Sequence, residues 1–168
     1  MGIRKKEYFE KIPGAPKPLS FSIKRRVSFN EVDALGMVWY GQYAIYFQQV
    51  QTELGRRSGL SFKDFYRSNV GAPIVKFHID YYQPLYLDEE FTVRASYIWS
   101  EGAKLHTEYA VIKNDGSIST RGYTVQVFIN TEQGRRIDGK NSQPYVVSPK
   151  ILERLRKGWK EGKFKCLK

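Results

Sequence analysis

The sequence predicts a single α+β domain in which an antiparallel sheet wraps around one long helix. An amphipathic helical segment follows a short strand near the N-terminus, and four segments with alternating apolar and polar residues come after it. Short turns join these later segments, a spacing typical of antiparallel strands. One apolar helix stripe beside one apolar sheet face indicates a two-layer α+β architecture. A chain of 168 residues is long enough to bury one core of its own.

The first strand is predicted over residues 21–29, where apolar side chains occupy every second position. Arg25 is the exception, because it falls on the apolar side. A loop without periodicity follows over residues 31–36. From Gln42 the apolar side chains recur at steps of four, three and four, which predicts a long helix with Gly59 as its stop.

A second, short helix is predicted after Ser61, which forms a capping pattern with Asp64, and it should end near residues 69–71. Four strands in a meander come next, each with its apolar positions toward the long helix. They are predicted over residues 75–82, 91–99, 105–111 and 123–129, with a hairpin turn at residues 114–116. A terminal helix over residues 149–158, with a proline at its start, completes the series.

Charge and composition divide the chain into three parts. Residues 1–20 hold three prolines, with five basic and two acidic side chains (+3), and are predicted to form a flexible basic leader. Residues 21–158 form the predicted domain, and residues 159–168 a basic C-terminal tail. Residues 149–168 carry eight basic and two acidic groups (+6), so the two ends hold most of the net charge of +11. The ends are either simply solvated or attract a polyanion such as a phosphorylated cofactor.

Several functional classes are excluded at this level. Basic charge at the two ends, rather than on one working face, argues against nucleic-acid binding. The absence of an apolar stretch of about 20 residues or of a signal-peptide core predicts a cytoplasmic protein without membrane insertion. The lone Cys166 cannot form an intrachain disulfide, and with only two histidines, His78 and His106, no metal site is expected. No phosphate-binding or dinucleotide-binding glycine motif occurs, so no cofactor is expected.

If the protein catalyses a reaction, the residues point to a carboxylate and backbone dipoles rather than to a histidine or cysteine. Asp33 lies in a largely apolar loop that leads to the start of the long helix, where desolvation would make an acid reactive. The backbone N–H of Tyr40 is close to that helix start and is suited to holding an oxyanion. An aspartate shortly before a helix is more often a cap or loop residue, so spacing alone is weak evidence for catalysis.

The same loop carries a longer motif. Asp33, Gly36, Val38 and Tyr43 fill the pattern D-x-x-G-x-V-x-x-x-x-Y, which resembles that of the hotdog-fold acyl-CoA thioesterases. The run W-Y-G-Q-Y at residues 39–43 is most similar to the W-Y-P-N-Y of the 4-hydroxybenzoyl-CoA thioesterases.

Two further segments extend the resemblance. Residues 71–75 (G-A-P-I-V) and 79–85 (I-D-Y-Y-Q-P-L) match one region of the family, and residues 101–105 (E-G-A-K-L) match another. The matches cover about residues 21–158 in the same order and with similar spacing. This makes the resemblance more specific than any one motif.

The resemblance implies a hotdog fold, a long central helix wrapped by an antiparallel five-stranded sheet. It also implies a homodimer or homotetramer with active sites at the subunit interface and an acyl-CoA substrate. Carried onto this chain, Asp33 is the nucleophile or general base, and the Tyr40 N–H polarises the thioester carbonyl. The implied substrate-binding positions, the later ones contributed by the partner subunit, are Gly36, Val38, Trp39, Tyr43, Phe47, Ala72, Ile74, Val75 and Lys104.

The sequence departs from the family pattern at two places. Tyr40 stands where many relatives have histidine, so only a backbone role is retained there. Glu101 replaces a basic residue, so Lys104 or the basic tail would take over the phosphates of CoA. A non-hydrolytic protein that binds acyl-CoA or acyl carrier protein is the alternative function, and the acyl group is left open.

Large apolar side chains also fall on the strand face opposite the main apolar set. They are Tyr82, Ile98, Ile112 and Phe128. A monomer that exposed all of them would have an unusually apolar surface, which predicts that this face is covered in an oligomer.

Overall fold

The computed structural model describes residues 7–131, 143–144 and 148–164. Its strands are β1 (Leu19–Arg26), β2 (Val70–Gly71), β3 (Ile74–Tyr81), β4 (Glu90–Ile98), β5 (Lys104–Lys113), β6 (Ile118–Val127), β7 (Ile129–Asn130) and β8 (Gln143–Pro144). Its helices are α1 (Gln42–Ser58), α2 (Phe62–Arg67) and α3 (Lys150–Lys160). Five strands form an antiparallel sheet in the order β1-β4-β5-β6-β3, and β2-β7-β8 form a small second sheet. Cys166 lies outside the described residues.

Helix α1 lies across the inner face of the large sheet and ends where the sequence predicts. Gly59 closes it in the left-handed conformation, at φ 79°. The stripe residues Phe47, Val50 and Leu54 are buried, and α1 packs mainly against β4 and β1. Helix α2 is also confirmed, because the Ser61 side chain accepts a hydrogen bond from its third residue. None of the helices in the described ranges has both the length and the apolar composition to cross a bilayer.

The predicted four-strand meander is wrong in one respect. Strands β4, β5 and β6 follow one another as a meander, but β3 pairs with β6 at the far edge of the sheet. The free side of β4 is taken by β1, which pairs with it along its whole length. The chain must therefore cross from β3 to β4, and Leu85 anchors this crossing in the core. All neighbouring strands are antiparallel, as predicted.

The two faces of β6 are reversed relative to the prediction. Its apolar positions were expected to face α1, but the alternate positions face α1 instead. Gly122 and Thr124 face inward, and Tyr123 and Val125 face outward. The rings of α1 and β5 fill the space on the inner side, so only small residues fit opposite them. A Cβ added at Gly122 would lie 2.8 Å from the Phe47 ring and 2.4 Å from a backbone oxygen.

The predicted boundaries need correction at both ends of the domain. Strand β1 begins at Leu19, inside the predicted leader, and ends at Arg26 rather than residue 29. Residues 29–31 form a 3-10 turn because Ser28 and Glu31 cap each other there, and Phe29 is left 82% exposed.

At the other end, α3 continues through residue 160, so the predicted tail begins inside a helix. Trp159 is buried and its Nε1 donates to the carbonyl of Lys17 at 2.8 Å. Residues 165–168 of the predicted tail lie outside the described ranges.

The outer face of the sheet is partly covered by the chain itself. Tyr8 donates from its hydroxyl to Asp80 at 2.7 Å, and the Phe9 ring stacks on His106 with centroids 4.1 Å apart. Phe128, predicted on this face, is instead fully buried, because it continues the inward-facing series of Gly122, Thr124 and Gln126. The outer face is therefore less apolar than predicted.

The partly buried imidazole of His106 is expected to make the free energy of unfolding depend on pH. Burial and the nearby Lys104 charge lower the pKa of His106 below its ordinary value of 6.5. The unfolded chain then binds the proton more readily than the folded chain, so the free energy of unfolding falls as the pH drops through 6.5. Urea unfolding at pH of about 7.5 and about 5.5 measures this. A His106→Phe variant keeps the stacking but should lose part of the pH dependence, and an unchanged dependence would contradict this account.

Candidate active site

The segment between β1 and α1 folds back on itself as a tight loop. Val32 and Val38 form an antiparallel bridge, and the Asp33 N–H donates to the Met37 carbonyl at 2.8 Å. The turn between them closes at Gly36, whose φ of 71° is a conformation that residues with a Cβ rarely adopt. Gly36 thus shapes the loop that presents Asp33.

The Asp33 carboxylate lies at the exposed tip of this loop. Its Oδ1 accepts backbone N–H bonds from Leu35 at 2.8 Å and Met37 at 3.4 Å. Its Oδ2 meets no donor within the described ranges and stays open to a substrate. The predicted desolvation of Asp33 is wrong for the single chain, because Asp33 and the two residues after it are exposed.

A buried carboxylate beneath the loop holds it in place. Glu31 is only 5% exposed, and its Oε1 accepts from Arg25 at 3.0 Å and from Gln42 at 3.1 Å. Its Oε2 accepts from the Tyr46 hydroxyl at 3.0 Å, and burial together with this hydrogen bond raises the pKa of Tyr46. Sequence analysis did not name Glu31, although the inward-facing Arg25 was a signal that a buried acid lay nearby.

The start of α1 presents backbone donors. The Trp39 indole lies across Gly41 so closely that a Cβ there would be 2.0 Å from the ring. The Tyr40 side chain is exposed, and its carbonyl accepts from the Tyr81 hydroxyl at 2.9 Å. Neither the Tyr40 nor the Gly41 N–H meets an acceptor among the residues that the structure describes.

One cavity of about 460 Å³ connects these features. It is lined by Asp33, Met37, Val38, Trp39, Tyr40, Tyr43, Tyr81, Tyr82, Gln83 and Pro84. Five of the predicted site residues therefore meet at one place, together with the end of β3, which sequence analysis did not assign to the site. A larger groove of about 940 Å³ lies between α2 and α3, but none of the predicted site residues lines it. In the described part of the chain, no His, Cys, Asp and Glu side chains are grouped as a metal ion would require.

The sequence profile of the thioesterase-like superfamily matches residues 27–155, which is most of the chain. The chain belongs to this superfamily. A protein of Bacillus subtilis, provisionally named an acyl-CoA thioesterase, is 24% identical over 121 residues, 70% of this chain and 86% of its own length.

Two solved structures share the fold. A Staphylococcus aureus protein in complex with CoA aligns with a TM-score of 0.69 at 20% identity, over 88% of this chain and 86% of its own. An Asp-to-Asn variant of 4-hydroxybenzoyl-CoA thioesterase in complex with 4-hydroxybenzoyl-CoA aligns with a TM-score of 0.67 at 17% identity, over 82% of this chain and 99% of its own. The predicted hotdog fold and thioesterase class are confirmed.

The other site positions predicted for this superfamily member do not reach the cavity within one chain. Phe47 is buried in the core, where it stacks on Tyr109 with centroids 4.5 Å apart. Ile74 is at the opposite end of β3 from Tyr81, roughly 23 Å away at about 3.3 Å per residue. The positions at that distant end are Ala72, Ile74, Val75 and Lys104.

Proposed function

We propose that this thioesterase hydrolyses acyl-CoA to a carboxylic acid and free CoA, using Asp33 as the acting carboxylate and the Tyr40 N–H as oxyanion donor. One observation carries the proposal. A single cavity is lined by both Asp33, whose Oδ2 meets no donor among the described residues, and Tyr40, whose backbone N–H meets no acceptor among them. These are the two elements that thioester hydrolysis needs, a group that attacks or activates water and a group that stabilises the developing oxyanion.

In the proposed reaction the thioester carbonyl oxygen lies against the Tyr40 N–H. The positive end of the α1 dipole stabilises the charge that develops on this oxygen. Asp33 either attacks the carbonyl carbon or takes a proton from an attacking water molecule. In the first route the C–S bond breaks to give an acyl anhydride and a CoA thiolate, and water then cleaves the anhydride. Both routes consume one water and release one carboxylic acid and one CoA thiol.

The direct test is an assay of the purified protein with short-chain, long-chain and aromatic acyl-CoA esters, in which release of the free CoA thiol is followed. Hydrolysis of at least one ester is expected. Binding of the esters without thiol release would contradict the proposal and favour a non-hydrolytic acyl-CoA or acyl-carrier-protein binding protein. For an ester that is hydrolysed, a single turnover in ¹⁸O-labelled water addresses the role of Asp33, since label in its carboxylate would establish nucleophilic attack.

We also propose that the site is completed by a second copy of the chain paired along β3. Strand β3 is an edge of the sheet, and its first residues, Ile74 and Val75, are 52% and 54% exposed. A long apolar edge is unfavourable in a monomer, because its unpaired backbone and side chains meet water. Antiparallel pairing of two β3 strands about a two-fold axis would bring the partner's Ile74 and Val75 toward Tyr81 and the Asp33 cavity of the first chain.

This arrangement predicts that activity depends on the oligomer. A Val75→Glu variant should be monomeric in light scattering and lose at least about tenfold in specific activity, because the partner's wall is missing. Ser22→Glu is the matched control, since it adds the same charge to the exposed opposite edge, β1. Wild-type activity should also fall on dilution below the dissociation constant. A stable, fully active monomer would overturn the interface location of the site.

A further inference from the structure

A further cavity lies on the outer face of the large sheet, over strands β1, β4, β5 and β6. Its volume is about 550 Å³, within the range of small-molecule sites in proteins. Lys17 and Pro18, which precede β1, complete its lining. This cavity has no lining residue in common with the one that contains Asp33, so the proposed reaction does not account for it.

Two arginines stand on either side of an alanine in this cavity. Arg94 of β4 pairs with Ala110 of β5, and Ala110 in turn pairs with Arg121 of β6. All three side chains project from the outer face, because the residue before each of them is buried against the core. Two strand spacings, roughly 10 Å, separate the backbones of the two arginines. Because the alanine side chain is short, the space above it lies between two guanidinium groups.

The guanidinium of Arg121 is largely buried and yet lacks hydrogen-bond acceptors. Its side chain is 12% exposed, and its ion-pair partner Glu108 is 3.8 Å away, too far for a hydrogen bond. Asp80 lies opposite Arg121 on β3, but it accepts from the Tyr8 hydroxyl at 2.7 Å instead. Among the residues that the structure describes, no acceptor takes a hydrogen bond from this guanidinium. Since buried donors are normally paired, an acceptor on a ligand would complete the site.

The charges around the cavity favour an anionic ligand. Lys17, Arg94 and Arg121 line it together with a single carboxylate, that of Glu108. Neither Lys17 nor Arg94 has an ion-pair partner in the described part of the chain. An anion would therefore compensate positive charge that the protein itself leaves unpaired.

Apolar side chains form another part of the wall. They are Pro18, Ile98 and Ile118. A small inorganic anion would leave these side chains in contact with water, whereas a ligand with a hydrocarbon body would bury them. The cavity thus combines a cationic part with an apolar part, which fits an organic acid better than a free inorganic ion.

We propose that this outer-face cavity is a binding site for a small organic carboxylate. The carboxylate group lies over Ala110 and accepts hydrogen bonds from Arg94 and Arg121, since a guanidinium fork matches the two oxygens of a carboxylate. The hydrocarbon body lies against Ile98 and Ile118. The proposal does not depend on the hydrolytic activity proposed above.

Sodium octanoate is a suitable probe, because it joins one carboxylate to an unbranched apolar chain. Isothermal titration should give a Kd of about 1 mM or tighter, the affinity expected of a ligand of about ten non-hydrogen atoms. Octan-1-ol, acetate and inorganic phosphate should each bind at least about tenfold more weakly, since each lacks either the charge or the hydrocarbon chain. Absence of octanoate binding, or equal binding of any one of these three compounds, would overturn the proposal.

The place of binding is tested with ¹⁵N-labelled protein. Octanoate should shift the backbone amide signals of Arg94, Ala110 and Arg121, whether or not it also reaches the proposed active site. Shifts confined to residues 33–43 would place the acid in the active-site cavity alone and would contradict the outer-face site.

Three variants separate the contributions of charge and space. Arg121→Gln removes the largely buried guanidinium, and Ala110→Leu fills the space between the arginines while keeping both charges. Each should weaken octanoate binding at least about tenfold, the scale of one charge-assisted hydrogen bond or more. Arg94→Gln changes an exposed position, so it keeps the packing intact and should still weaken binding at least about threefold. Melting temperatures check that the variants fold.

Arg26→Gln is the matched control for these variants. Arg26 is an exposed arginine of β1 that lies outside the cavity and pairs with Asp88 at 3.2 Å. Its removal lowers the net charge of the protein by the same amount, so it should leave the octanoate affinity unchanged. An equal loss in Arg26→Gln would show that the overall charge of +11 attracts the acid. That result, or an unchanged affinity in the folded Arg121→Gln and Arg94→Gln variants, would overturn the proposal.

Discussion

The Asp33→Asn variant is expected to keep its fold and its affinity for acyl-CoA and to lose at least about 10²-fold in turnover, the scale for losing an acid–base group. Asparagine has the same shape, and its amide oxygen can still accept the N–H bonds of Leu35 and Met37 that hold the loop. An amide neither attacks a thioester nor takes a proton from water. The loss should therefore fall on kcat, measured by thiol release, with the melting temperature unchanged.

Tyr40→Phe is the matched control for this variant. It alters the neighbouring wall of the same cavity but leaves the backbone N–H in place, so turnover should change little. A loss as large as that of Asp33→Asn would show that the phenol is the working group. Near-wild-type turnover of Asp33→Asn would show that the carboxylate only caps its own loop, the role that its two N–H contacts already give it.

Features fixed by local chemistry were predictable from the sequence, and features fixed by distant partners were not. Helix α1 was bounded correctly because its stripe and Gly59 are local signals. The start of α2 was also predicted correctly, because Ser61 and Asp64 cap it, but the helix ends at Arg67 rather than near residues 69–71. The alternation of apolar and polar residues in a strand shows which residues share a face, but it does not show which other strand pairs with that strand. The pairing of β3 with β6 and the inward orientation of Gly122 depend on the sheet edge and the core space that the other elements leave unoccupied.

The same distinction applies to the site. Its five predicted lining residues meet in one cavity because they lie within a single loop and helix start. Tyr81 was missed as a partner of Tyr40, since a side-chain bond to a backbone carbonyl 41 residues away leaves no pattern in the sequence. The exposure of Asp33 was predicted wrongly because burial depends on the elements that surround a loop.

The largest stability effect is expected at Glu31. Glu31→Ala should lower the free energy of unfolding by about 3 kcal/mol, the low end for breaking a buried ion pair, because Arg25 then remains partly buried without its counter-charge. The Tyr46 hydroxyl, the Gln42 side chain and the Ser28 N–H lose an acceptor at the same time. Urea unfolding, with the slope checked for constancy, measures the change.

A carboxylate in a surface ion pair is the matched control for Glu31. It shows how much stability is lost when a carboxylate is removed from an exposed position. Glu53→Ala removes the partner of the exposed Arg56 on the same helix and should cost at most about 1 kcal/mol. Glu31→Ala should also lower turnover, because the Glu31 carboxylate accepts from the Gln42 and Tyr46 side chains and thereby ties the base of the Asp33 loop to the start of α1. If Glu31→Ala were as stable and as active as Glu53→Ala, the buried network could not be what positions the loop.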